Sequence, residues 1–404
     1  MHALNLNAGA RSLVISHAIS KCGEFAFEAA FAVAVVSMAD MDLLLIGVAY
    51  FFRYLPSATF SPVGGWLADN GNRKRTLIQV ELAKSLVAFG FFVLFNSSEP
   101  ALAVVTVMAM FMTALDCLHA PTFRAYFPDI VDRGDLASVN SGVQVVEDIS
   151  SIVGPLVFSF ITLMYASEAS FLFFAFCLLL SAISLVTLVP SKTRGTETFD
   201  GLALVREAAG SVRQMRTGNV PLFAVICCTT LCAMFATSVI RFILPASVLD
   251  HFASEAAVGY VFSLLATGTV LGGMLYTKLN PRTTARLVLR YWALYGALFF
   301  AAAVALEFSS ILFLLILFGV GFIGAFVDIA IVTNIQCLSS EQQVGRNFSL
   351  YYFTAVIGDA FSGLVASIVY LWVGPATFIW MTFMLLVAPL RWNMKRGLDE
   401  RRTE

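Results

Sequence analysis

The sequence predicts an all-α membrane protein: twelve transmembrane helices in two pseudo-symmetric six-helix bundles, with the N- and C-termini cytoplasmic. Three observations lead there. Hydrophobic residues make up 59% of the 404 residues and charged residues 13%, against about 45–50% and about 25% in soluble domains. A single water-soluble core cannot hold that much apolar material. Twelve stretches reach the roughly 20 mostly apolar residues that a bilayer-crossing helix needs. Lysine and arginine fall on one side of the loops between those stretches, the side that stays in the cytoplasm. The 37 phenylalanines suit a lipid-facing surface. Disorder is excluded, because it needs low hydrophobicity and high charge. The balance of 25 basic against 26 acidic residues leaves no nucleic-acid footprint.

The first six stretches run over 13–38, 43–67, 76–95, 101–123, 137–163 and 170–189. The second six run over 222–248, 257–277, 287–305, 310–333, 348–371 and 374–390. Residues 1–190 then form an N-terminal bundle, and 221–404 a C-terminal bundle with a cytoplasmic tail. Residues 191–220 link them. Within this linker Leu202, Val205, Ala209 and Val212 share one face over about 201–216, the pattern of an interfacial amphipathic helix. The first apolar run is interrupted by Lys21, Glu24 and Glu28 and lacks a small-residue cleavage pattern, so it reads as a retained span. With the N-terminus inside, 21 lysines and arginines fall in cytoplasmic segments and none in the six opposite loops. The other four, Lys21, Arg53, Lys84 and Arg241, lie within spans. Seven cysteines with no CxxC pair read as small buried hydrophobes, with no disulfide framework and no metal site.

The halves repeat weakly. Gly64-Gly65-Trp66-Leu67 ends span two, and Gly272-Gly273-Met274-Leu275 ends span eight, an offset of 208. Asp116 and Asp328 are offset by 212, and Asp148 and Asp359 by 211. These offsets suggest an internal duplication, and two parallel halves around a central pathway are an established transporter architecture.

The segment Gly65-Trp66-Leu67-Ala68-Asp69-Asn70-Gly71-Asn72-Arg73-Lys74-Arg75 resembles the loop between spans two and three that marks the major facilitator superfamily. Gly65, Leu67, Ala68, Asp69, Arg73 and Lys74 match that pattern. Gly154-Pro155 in span five partly resembles the Gly-Pro element of antiporters, where the helix bends, although Leu156-Val157-Phe158 replace the small residues that usually follow. Gly345-Arg346 and Gly358-Asp359-Ala360 resemble the enterobactin-exporter-like subgroup, which exports siderophores. The resemblance implies a transporter in a bacterial-type inner membrane, expected as a monomer. It also implies that Asp69 and Arg73, with Lys74, latch the two halves, and that Gly65 allows close approach of a partner helix. Topology anchoring is the competing reading for the basic residues.

Charges within spans are functional candidates, because each costs about 2.5–3.5 kcal/mol at the bilayer centre. Glu24, Arg53, Asp148 and Asp359 lie about ten residues into their spans, near the midplane. His17, Lys21, Glu24 and Glu28 step by 4, 3 and 4 along span one, which puts them on one helical face. Asn140, Gln144, Glu147 and Ser151 do the same in span five. Two readings stay open. At least one of Glu24, Glu28, Glu147 and Asp148 exchanges a proton, or these carboxylates form structural ion pairs, Glu24 with Arg53 and Asp148 with Arg241 or Lys84. Arg53 and Arg241 could instead hold an anionic substrate. Asp116, Gln144, Asp328, Tyr352 and Asp359 complete the residues expected to line a substrate cavity. His17 and His119 are either proton relays or satisfied polar residues.

No phosphate loop, nucleophile set or metal set is present in the sequence, so an enzyme and a cofactor are not expected. The chain is expected to export a small siderophore-like organic molecule by alternating access, driven by protons. The alternatives are multidrug efflux or metabolite uptake on the same fold, or a non-transporting membrane receptor.

Overall fold

The computed structural model describes residues 8–97, 100–130, 136–188, 220–279, 284–338 and 344–395, and all regular structure among them is helical. The amphipathic segment expected at 201–216 lies outside the described residues. Ten stretches among those described are long and apolar enough to cross a membrane. The first helix, α1 (Ala8–Met38), is 31 residues long, but Arg11, Lys21, Glu24 and Glu28 make it less apolar than those ten. The last of the ten, Ile357–Leu390, bridges two helices.

Span two is broken. Helix α2 (Leu43–Tyr54) ends before Leu55, and α3 (Pro56–Asn70) begins with proline. Pro56 has no N–H to give the preceding turn, so the chain tightens there with Leu55 N donating to Phe52 O at 3.2 Å. Next come α4 (Arg73–Ser97), α5 (Leu102–Ile130), α6 (Leu136–Met164) and α7 (Ala169–Val186). Span seven is also irregular. Helix α8 (Val220–Ser238) passes through a π-helical turn, Val239–Ile243, into α9 (Leu244–Phe252). Pro245 cannot donate to the Arg241 carbonyl, and its ring would clash there in a regular helix. The wider turn relieves both, with Leu244 N donating to Val239 O. The chain continues through α10 (Glu255–Leu279), α11 (Ala285–Leu306), α12 (Ser310–Leu338), α13 (Val344–Val373) and α14 (Thr377–Lys395).

The helices group into two compact units that do not simply follow chain order. The first holds α1 and α3–α7, together with the end of α2 from Phe52 and Phe252–Ser263 at the start of α10. The second holds Met41–Phe51, most of α8 and α9, the rest of α10, and α11–α14. In the first unit α1 packs on α6 and α7, α4 on α5 and α7, and α3 on α5. The second repeats these pairings: α8 packs on α13 and α14, and α11 on α12 and α14. Its α10 crosses α12 where a Cβ on Gly272 would fall on the Phe322 carbonyl. An aromatic core fills the first unit, with Phe27 5.0–5.7 Å from Phe91, Phe171 and Phe174.

Corresponding turns share a strained backbone. Met41 and Ala253, 212 apart, have φ of 60° and 48°, a region that L residues seldom adopt. Six residues after each comes a crowded glycine. A Cβ on Gly47 would fall on the Gly363 carbonyl in the second unit, and one on Gly259 on the Pro155 carbonyl in the first. Serines close both crossings. Ser367 Oγ lies 3.1 Å and 3.3 Å from the Leu43 and Leu44 carbonyls, and Ser159 Oγ donates to Ala256 O at 2.9 Å.

Candidate functional site

The polar face of α1 is met by bases and acids from three neighbouring helices. Lys21 Nζ lies 2.6 Å from Glu24 Oε1. Lys84 of α4 lies 3.5 Å from Glu24 Oε2 and donates to Asp116 of α5. Glu28 pairs with Arg53 of α2. His17 Nε2 is 2.9 Å from Glu147 Oε1 on α6, and His119 Nε2 of α5 is 3.0 Å from Glu81 Oε1 on α4. Ser20 Oγ donates to Glu81 Oε2 at 3.4 Å. Burying any of these charges alone would cost several kcal/mol, and their pairing answers that cost.

Exposure is unevenly shared within the pairs. The side chains of Lys84, Arg53 and His17 are 1–3% exposed, whereas their partners Glu24, Glu147, Glu28 and Asp116 are 23–39% exposed. In these pairs the base stands behind and the carboxylate in front, whereas Lys21 is as exposed as Glu24 and His119 more so than Glu81. Carboxylates at mid-span depth are costly to turn toward lipid.

These pairings correct the expected ones. Arg53 takes Glu28 and not Glu24, because both lie ten residues from the α1–α2 turn, counted from Met38 and from Leu43, at matching depth on antiparallel helices. Its guanidinium sits 4.3 Å from the Phe31 ring centroid. Buried there, Arg53 is not the cavity-lining residue the sequence suggested. Asp148 meets neither Arg241 nor Lys84. It accepts from Gln144 Nε2 at 2.9 Å, one turn away on an exposed stretch of α6. The expected polar face of α6 is therefore split, with Glu147 turned to α1.

In the second unit the π-helical turn presents Arg241, whose Nη2 is 3.3 Å from Asp359 Oδ2 on α13, and Thr237 donates to Asp359 Oδ1 at 3.0 Å. Asp328 on α12 is exposed and, among the described residues, forms no ion pair. Its repeat counterpart Asp116 has Lys84, whereas the matching stretch of α11 has Tyr295 and Gly296. The side chains of Tyr352 and Asp69 lie outside the described residues.

The α3–α4 turn works inside the first unit. Arg73 donates to the Ala68 and Ala125 carbonyls at 2.6 Å and 2.7 Å and pairs with Asp129 at 3.3 Å. Lys74 Nζ donates to the Val186 and Leu188 carbonyls and so caps the C-terminal end of α7. The expected close approach falls one residue earlier than Gly65. A Cβ on Gly65 would meet nothing within 4 Å, whereas one on Gly64 would fall on the Cys117 carbonyl of α5. Gly154 is also a close-packing position, where a Cβ would meet Phe25 and Cys22 of α1. Helix α6 runs on through Pro155.

Glu81 and Lys84 were the residues that sequence reasoning underweighted. They are one turn apart on an otherwise apolar span, and that spacing was the available signal.

With this geometry in place, four likenesses bear on it. A family model described as the Major Facilitator Superfamily matches residues 13–234. Macrolide efflux protein A of Streptococcus pyogenes is 22% identical over 234 residues, which are 57% of this chain and 57% of that protein. The chain thus spans little more than half the length of the curated relatives it matches. Among solved structures, a variant of the peptide transporter POT in complex with sulfate superposes with a TM-score of 0.76 at 14% identity, covering 97% of this chain and 94% of the other. A variant of the nucleoside transporter NupG does so with a TM-score of 0.74 at 11% identity, covering 96% and 98%. At these identities the structural likeness speaks to fold alone.

Proposed function

The chain belongs to the Major Facilitator Superfamily, and on that premise we propose that it is a proton-coupled exporter of small organic cations. It is a multi-pass membrane transporter and not an enzyme. The export direction is supported by the likeness to macrolide efflux proteins. In this reading twelve helices cross a bacterial inner membrane, both termini are cytoplasmic, and the monomer works by alternating access. The one-sided distribution of lysine and arginine supports that orientation.

The observation that carries the substrate class is the ordering of the Lys84, Arg53 and His17 pairs, base behind and carboxylate in front. A solute entering this face meets Glu24, Glu28, Asp116 and Glu147 before it meets Lys84, Arg53 or His17. In a low-dielectric site that field favours a positive solute and repels an anion. Asp148 extends the acidic lining. Phenylalanine-rich spans suit the apolar body of such a molecule. Protonation of this charged cluster weakens its hold on the cation, so proton entry from outside drives release there.

A siderophore-like anion is the second reading. It is favoured by the 32% exposure of Arg241 beside Asp359 and by the resemblance around Gly358 and Asp359. Everted membrane vesicles with an imposed acid interior separate the two. Tetraphenylphosphonium should accumulate in wild-type vesicles, lose its accumulation when nigericin collapses the gradient, and accumulate far less with Glu24→Gln. Accumulation of a tris-catechol siderophore with no cation transport establishes the second reading and defeats the first. Transport of both probes that ignores the gradient defeats proton coupling.

A further inference from the structure

The proton-coupling reading leaves open where protons reside, and the charge balance of the first unit narrows this. Lys21 and Lys84 offset Glu24 and Asp116, two ammonium groups against two carboxylates. Arg53 offsets Glu28, and Arg73 offsets Asp129. Within this network two pairs remain whose charge depends on one proton each, His17–Glu147 and His119–Glu81. Each is negative without the added proton and neutral with it.

These two pairs flank one ring. His17 stacks on Phe123 at 4.1 Å and 14°, and His119 stacks on it at 5.8 Å and 12°. An imidazolium against an aromatic face gains cation–π attraction, so a proton on either histidine is held from two directions. We propose that His17–Glu147 and His119–Glu81, arranged about Phe123, are the proton-binding sites of this transporter, in place of the α1 carboxylates. This rests on the proton-coupled reading above.

The sites differ in access. Glu147 is 25% exposed and Glu81 2% exposed. His17 Nδ1 is buried without a hydrogen-bond partner. The groups facing them are Ser20, Lys21 and Glu24 from α1, Lys84 from α4, Arg124 from α5 and Ser181 from α7, and the two histidines face each other.

The test is a nuclear magnetic resonance titration of the full-length protein in lipid nanodiscs, labelled at its four histidines, from pH 5 to 9. His251 lies away from the network, beside Ser310, and His2→Gln and His251→Gln each remove one signal. The two signals that remain belong to His17 and His119. Both should titrate, with Glu81→Gln weakening proton affinity at His119 at least tenfold and Glu147→Gln doing so at His17. Imidazoles that keep one charge state across the range, or midpoints indifferent to these substitutions, overturn the assignment. Gradient-driven tetraphenylphosphonium uptake alongside silent imidazoles defeats the site and spares the coupling. Titrating imidazoles with gradient-indifferent transport support the site and defeat the coupling.

Discussion

Replacing Lys84 by methionine keeps the volume of the side chain and removes its charge. Lys84 is 1% exposed and holds both Asp116 and Glu24. Glu24 retains Lys21 at 2.6 Å, so the orphaned group is Asp116. Removing one partner of a buried pair costs about 3–5 kcal/mol. Asp116 is 39% exposed and regains part of its hydration, which places the loss near the lower bound, about 3 kcal/mol. That is a fall of about two orders of magnitude in the folded-to-unfolded ratio. Denaturation by sodium dodecyl sulfate in mixed micelles, followed by the fluorescence of the five tryptophans, reads it directly. Adding Asp116→Asn to Lys84→Met should restore more than half the loss, because both charges of the pair are then gone. Adding Glu24→Gln should not, because it strips Lys21 of its partner and leaves Asp116 bare. A Lys84→Met protein as stable as wild type refutes the reasoning. So does a double variant with Asp116→Asn that is no better than the single.

Other substitutions probe the helix contacts. Gly64→Ala should destabilise by about 1–3 kcal/mol through overpacking on the Cys117 carbonyl, whereas Gly65→Ala should stay within about 0.5 kcal/mol; the same unfolding assay separates them. Arg73→Gln should cost about 3 kcal/mol by stranding Asp129. Arg73→Lys should recover only part of this, since an ammonium cannot reproduce the guanidinium fork; thermal unfolding of the purified variants measures both. Trp292→Phe should lose about 1 kcal/mol with the hydrogen bond from Nε1 to Thr229 Oγ1, 3.2 Å long in the structure, read by the same melting curves.

Composition and hydropathy were enough to read a helical membrane protein, and the loop pattern from Gly65 to Arg75 pointed to its family. The polar face of α1 was also legible, because a helical period of 3.6 places His17, Lys21, Glu24 and Glu28 in one column. The partners of that column were not, because depth in neighbouring helices decides them. A count from the α1–α2 turn would have matched Arg53 to Glu28. Nothing local shows that Glu147 turns toward α1 while Asp148 does not, since adjacent residues on a helix point about 100° apart and packing selects which is buried. The π-helical turn at Arg241 had a visible cause in Pro245, yet a proline admits several local solutions. Gly64 and Gly65 read alike in sequence and differ only in what lies across from them.

The two glycine crossings at Gly47 and Gly259 have a mechanical consequence. Backbone rests on backbone there, with Phe158 against Gly259, and hydroxyl bonds from Ser367 and Ser159 hold the contacts. Such bonds are worth about 0.5–1.5 kcal/mol apiece. A Cβ at either position would press the two chains apart, so these contacts tolerate no side chain larger than a hydrogen.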